Sequence, residues 1–144
     1  MTAMTDEQRK SVALDYIVKL DRGENFFGLF APNAQVLVPK WGIATGLDEI
    51  TEAFTAMAGK VAATRHDYAY FNYVHSGDVV VIEGTSSGRT TDGAEWQAAG
   101  TTHRGRWCDV FEIRDGLIQR LFIYLDPDYS DADAASYPWL ASRS

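Results

Sequence analysis

The sequence predicts an α+β domain in which helices cover one face of a curved, mostly antiparallel sheet. Three observations carry this prediction. Apolar residues recur at helical spacing only as far as Gly59, hydrophobicity alternates with period two beyond it, and glycine-containing turn signals cut the alternating half into strand-length pieces. At 144 residues the chain is expected to fold as one domain over 1–144, with 127–144 as a tail that docks on it.

Thr5 followed three residues later by Gln8 reads as a capping box. Val12, Ala13, Tyr16, Ile17 and Leu20 then recur at helical spacing until Gly23, which predicts a first helix from about 6 to 21. The stretch "ENFFGLF" is read as a short second helix, leading through Pro32-Asn33 into the strand "AQVLVP". Thr45 with Asp48 gives a second capping signal, and Leu47, Ile50, Phe54 and Met57 make an amphipathic helix that stops at Gly59.

Four alternating stretches follow, "HDYAYFNYVH", "VVVIEGTSSG", residues 102–113 and "LIQRLFIYLD". Ser76-Gly77-Asp78, Asp92-Gly93 and Asp115-Gly116 are the turns between them, and an antiparallel meander is the expectation. The last hairpin has two possible registers. A two-residue loop sets Asp109 beside Phe122, whereas a three-residue loop with Gly116 as a bulge sets it beside Leu121. The second is preferred because it gathers Trp107, Asp109, Leu121, Ile123 and Leu125 on one mostly apolar face. Arg106, Cys108, Val110, Arg120, Phe122 and Tyr124 then share the other face, a mixture suited to contact with a second subunit.

Composition removes several classes of function. The net charge is −7 and the 13 Lys and Arg are scattered, so nucleic acid is ranked last among partners. No apolar run approaches the ~20 residues needed to cross a bilayer, and the opening "MTAMTDEQRK" lacks the apolar stretch of a signal peptide. One cysteine, Cys108, permits no internal disulfide, so a cytoplasmic location is expected. Three scattered histidines show no ligand spacing, and neither a metal nor a cofactor is assigned. The acidic run Asp126, Asp128, Asp131 and Asp133 is read as a solvated segment, and the closing Tyr137, Pro138, Trp139 and Leu140 as the docking part of the tail.

The stretch "GRWCDVFEI" poses the chemical question. Trp107, Asp109, Phe111 and Ile113 share one strand face, which places a carboxyl group between two large aromatic side chains. An acid buried there must either find a partner or keep its proton.

"LFAPNAQVLVP", "GLDEITEAF" and above all "VFEIRDGLIQRLFIYLD" resemble the nuclear transport factor 2-like superfamily, which includes SnoaL-like polyketide cyclases, ketosteroid isomerases, scytalone dehydratases and limonene epoxide hydrolases. The resemblance covers nearly the whole chain. It implies a cone-shaped half-barrel, with an apolar cavity between the first helix and the concave sheet, and a homodimer. By position, Tyr16 matches the helix-one tyrosine of the ketosteroid isomerases and Asp109 their protonated oxyanion-hole aspartate. A neutral acid of that kind, here flanked by Trp107 and Phe111, donates a hydrogen bond to a substrate oxygen.

The sequence also departs from these relatives. Val38 stands where the isomerases carry their proton-abstracting aspartate. Gly84, Ser86 and Ile123 replace the epoxide hydrolase triad, and Ile123 also replaces the cyclase acid/base aspartate. Two histidines remain as candidate bases. His66 lies near the position of a base in scytalone dehydratase-like members, and His103 shares the Asp109 face about 20 Å along the strand.

The catalytic candidates are therefore Asp109, Tyr16, His103 and His66, and the ligand-binding candidates are Trp41, Val38, Trp107, Phe111, Ser86, Ile123 and Phe54. Each also has an ordinary reading. Asp109 can be satisfied by an arginine or by Tyr16, the two histidines can be solvated strand ends, and the aromatics can be plain core. Together they imply a cavity for a small apolar or aromatic molecule bearing a carbonyl or hydroxyl group, and cofactor-free isomerase, cyclase or dehydratase chemistry on it. The alternatives are a non-catalytic ligand-binding module and a purely structural dimerisation domain.

Overall fold

A computed structural model describes residues 3–143. Helix α1 runs over Asp6–Arg22 and α2 over Gly46–Ala58. The strands are β1 (Phe30–Val38), β2 (Gly42–Thr45), β3 (Val61–His66), β4 (Asn72–Ser76), β5 (Val79–Thr90), β6 (Glu95–Gln97), β7 (Arg106–Arg114) and β8 (Leu117–Leu125). They form one curved sheet in the order β2-β1-β8-β7-β5-β3, with β4 and β6 also paired to the long β5. Every pairing is antiparallel except β1 with β8. The fold is therefore the cone-like α+β arrangement, although the strands do not follow one another as a simple meander.

The capping box forms as the sequence requires. Gln8 N–H donates to the Thr5 hydroxyl at 3.1 Å, and Thr5 N–H to the Gln8 side chain at 2.9 Å. Gly23 ends α1 in the left-handed conformation that only glycine adopts freely. Arg9, 8% exposed, fastens this helix to the sheet by donating to the Ile113 carbonyl and pairing with Asp6 and Asp78. The second helix starts differently from expectation. Thr45 makes no side-chain cap; instead its N–H donates to Glu49 at 2.9 Å.

Four other expectations are corrected. "ENFFGLF" is only a 3-10 turn over Phe27–Leu29, and β1 begins at Phe30 with Pro32-Asn33 inside it. The ladder to β8 is interrupted between Phe30 and Gln35, and that irregularity is what admits a proline. "HDYAYFNYVH" is split by a 3-10 turn at Tyr68–Tyr70, so His66 ends β3 instead of opening a strand. The stretch from 102 becomes a strand only at Arg106, and Glu95–Gln97 adds an unforeseen β6.

The β7–β8 hairpin takes neither expected register. Asp115 and Gly116, at φ 55° and 77°, make a two-residue turn between paired Arg114 and Leu117. The shift comes later: Ile113 pairs with Ile118 but Glu112 with Arg120, so Gln119 is an extra residue in β8. Asp109 consequently stands opposite Ile123, not Leu121 or Phe122. The inward set survives because the bulge keeps Leu121 and Ile123 on the buried face. Tyr16, Ile17, Ile50, Val80, Ile82 and Phe111 fill the core between the helices and this face. No helix among the described residues is long and apolar enough to cross a membrane.

Candidate active site

Between the two helices and the sheet lies a cavity of about 400 Å³. α1 contributes Tyr16 and Asp21, the turn after it Phe26, α2 Phe54, β3 His66 and β7 Trp107 and Asp109. The position of Asp109 follows from the ladder. It lies between Ile82 of β5 and Ile123 of β8, both apolar and both on the concave face. Its side chain is buried at 4% exposure, and no hydrogen bond or ion pair reaches its carboxyl among the described residues. Burial alone pushes its pKa up to about 8. The acid is thus protonated at neutral pH and has a hydrogen to donate into the cavity.

Tyr16 faces the same space. Its ring packs edge-on against Phe26, Phe30, Phe54 and Phe111, with centroids 5.1 to 6.2 Å away. Burial, and after it the Asp109 and Asp21 carboxylates, hold its hydroxyl well above the usual tyrosine range. It remains a donor at any physiological pH.

A second polar group lies towards β3. The Nδ1 atom of His66 is 2.6 Å from Asp21 Oδ1, while the His66 backbone N–H and the Tyr68 hydroxyl donate to Asp21 Oδ2 at 3.0 and 2.7 Å. Burial by itself would raise the Asp21 pKa. The bond from the His66 ring, that ring's charge, the His66 N–H and the Tyr68 hydroxyl outweigh it and bring the pKa below the ordinary aspartate value. An ionised carboxylate only accepts, so Nδ1 carries a proton, and whenever the ring is in its neutral form Nε2 keeps its lone pair. The ring is held further by an edge-on contact with Trp107 at 5.0 Å.

Among the residues singled out from sequence, Tyr16, His66, Asp109, Trp107, Ser86, Ile123 and Phe54 line this cavity. Four do not. His103 lies in the loop before β7, in a different surface depression and 3.9 Å from Asp126. Trp41 is carried outward by the turn through Lys40, whose φ is 66°, and is 37% exposed. Val38, buried at the end of β1, borders the same separate depression as Trp41, and Phe111 lies one strand repeat from Asp109, edge-on to the Tyr16 ring.

Two wall residues that the sequence reading missed are Asp21 and Tyr129. Asp21 had a signal: it is an acid in the last turn of a helix, where the macrodipole disfavours it, four residues after buried Ile17. Tyr129 reaches the cavity from the tail and stacks on Trp96 at 3.8 Å with an interplanar angle of 13°. Burial, with the charge of Asp126, pushes its pKa up to about 12. Nothing local in the sequence announces that contact. The acidic tail is also more structured than a solvated run, because Asp131 pairs with Arg104 and Asp128 accepts from the N–H groups of Ala132 and Asp133.

The fold is shared with several solved structures. A nuclear transport factor 2-like protein of unknown function from Burkholderia pseudomallei is 15% identical, with a TM-score of 0.70 over 85% of this chain and 92% of that one. TerC, crystallised with polyporic acid, is 15% identical with a TM-score of 0.67 over 94% and 98%. A polyketide cyclase assigned as such in Sinorhizobium meliloti only by inference is 20% identical with a TM-score of 0.60 over 79% and 94%. No curated protein matches the sequence. The family model for the SnoaL-like domain matches residues 20–121, which span α2 and all of the sheet apart from the end of β8. The fold is that of the nuclear transport factor 2-like structures, and the chain belongs to the SnoaL-like domain family.

Proposed function

We propose that the protein catalyses cofactor-free proton transfer on a small, largely apolar carbonyl or hydroxyl compound, as an isomerase, cyclase or dehydratase. One observation carries this reading: a buried, unpartnered acid and a carboxylate-oriented imidazole open onto the same aromatic-walled cavity. The neutral Asp109 and the Tyr16 hydroxyl bind the substrate oxygen and stabilise the negative charge that develops on it. His66 Nε2 removes a proton that this oxygen acidifies, directly or through a conjugated system, and returns it one or more atoms away. Asp21 fixes the tautomer and steadies the imidazolium while it exists, and Tyr68 positions Asp21. The polyketide cyclase and the TerC complex are in keeping with such a ligand. Pairing of two copies through the outer sheet face, where Tyr124 is exposed, belongs to the same proposal.

Deuterium exchange at the α-carbons of 2-tetralone, followed by NMR in D2O, tests the chemistry without knowledge of the natural substrate. The protein should accelerate exchange, and His66→Ala and Asp109→Asn should each lower that acceleration about 100-fold or more. Binding of the ketone with exchange no faster than buffer would leave a binding module and no enzyme.

A further inference from the structure

The cavity has a second polar pole, Ser86 beside His66, of which the proton-transfer reading uses only His66. Ser86 on β5 is buried at 4% exposure, lines the cavity and stands directly opposite His66 in the antiparallel β3–β5 ladder. Directly paired side chains start about 5 Å apart at Cβ. The Ser86 oxygen accepts the indole N–H of Trp96 at 3.2 Å, which occupies a lone pair and turns the hydroxyl hydrogen elsewhere. Among the described residues no acceptor takes that hydrogen. A buried donor left open costs free energy unless something else satisfies it.

The two poles have different chemistry. At the first, Asp109 and Tyr16 offer donors only, which suits a carbonyl oxygen. At the second, Ser86 offers a donor and His66 Nε2 an acceptor, which together suit a hydroxyl or enol. Trp107 lies between them: it pairs with Gly84, two residues from Ser86 on β5, and is itself two residues from Asp109 on β7. Gly84 leaves room for this arrangement, since a Cβ there would come within 3.0 Å of the Trp107 ring and 2.9 Å of Phe71.

We infer that the cavity selects flat, unsaturated molecules with oxygen at both ends, a carbonyl held by Asp109 and Tyr16 and a hydroxyl held by Ser86 and His66. This rests on the proposed oxygen-binding role of Asp109. Ser86 is a specificity-determining residue in this reading, and Trp96 a positioning residue that fixes its rotamer.

Binding of three naphthalene probes, read by quenching of tryptophan fluorescence, tests it: 2-acetonaphthone, 2-naphthol and 6-hydroxy-2-acetonaphthone. The hydroxy ketone should bind about tenfold more tightly than either single-oxygen probe. Ser86→Ala should erase that preference, with the loss in hydroxy-ketone affinity far exceeding any loss in 2-acetonaphthone affinity, and Trp96→Phe, which keeps an aromatic ring but removes the indole N–H, should weaken it in part. Equal affinities for the hydroxy ketone and the ketone, or a Ser86→Ala variant that weakens both alike, would overturn the inference and leave the Asp109 reading intact. Failure of all three probes to bind would overturn both.

Discussion

His66 Nδ1 lies 2.6 Å from Asp21 Oδ1, and this bond ties the end of α1 to the end of β3 at the cavity wall. The same carboxylate takes the His66 N–H and the Tyr68 hydroxyl, so one side chain orients the imidazole and anchors the strand.

Asp21→Asn should therefore lower both stability and exchange activity. Because Asp21 has a depressed pKa when folded, its contribution is present above the unfolded value of 3.8 and is lost as pH falls through the folded one. Loss of hydrogen bonds to a charged group predicts a deficit of roughly 2 kcal/mol at pH 7. Urea unfolding at pH 7 and pH 3 should show the gap between wild type and variant closing in acid.

Asp109 works in the opposite direction. Its folded pKa of about 8 lies above the unfolded 3.8, so between these values the native state holds the extra proton and stability declines as pH rises, levelling off above 8. Asp109→Asn removes this decline. Between pH 4 and pH 7 the variant should gain up to roughly 4 kcal/mol relative to wild type. A thermal melt series across that range measures it.

Activity should carry the same signature. A rate that needs the Asp109 proton falls on an alkaline limb near pH 8 in the wild type. In Asp109→Asn the residual rate should lack that limb. The pH profile of 2-tetralone exchange reports both.

Gly88 is a packing constraint beside Trp96, the partner of Ser86. A Cβ there would come within 2.2 Å of the Ala63 carbonyl and 2.3 Å of the Trp96 ring. Gly88→Ala should cost about 1–3 kcal/mol and loosen Trp96 from Ser86 and Tyr129, measurable by urea titration and by Trp96 fluorescence.

The sequence made legible what depends on local periodicity. The α1 capping box, the amphipathic stripe of α2 and the inward set on β7 all follow from spacing. The β7–β8 register was not legible, because a bulge at Gln119 carries no composition of its own and the two expected loops were judged from Asp115-Gly116 alone. The site was legible in part. Asp109, Tyr16 and His66 were named and meet at one cavity, whereas His103 was placed on the Asp109 face by counting along a strand that begins only at Arg106. Asp21 was hinted at by its place in the last turn of α1, but its bond to His66, like the Trp96–Tyr129 stack, joins segments far apart in the chain, which local spacing does not encode.

The chemistry of the cavity turns on whether Asp109 keeps its proton at neutral pH. Carbon-detected NMR of the Asp109 carboxyl through a pH titration tests this directly. The expected result is a protonated carboxyl at pH 7 that titrates near 8. A midpoint near the ordinary aspartate value of ~4 would contradict it.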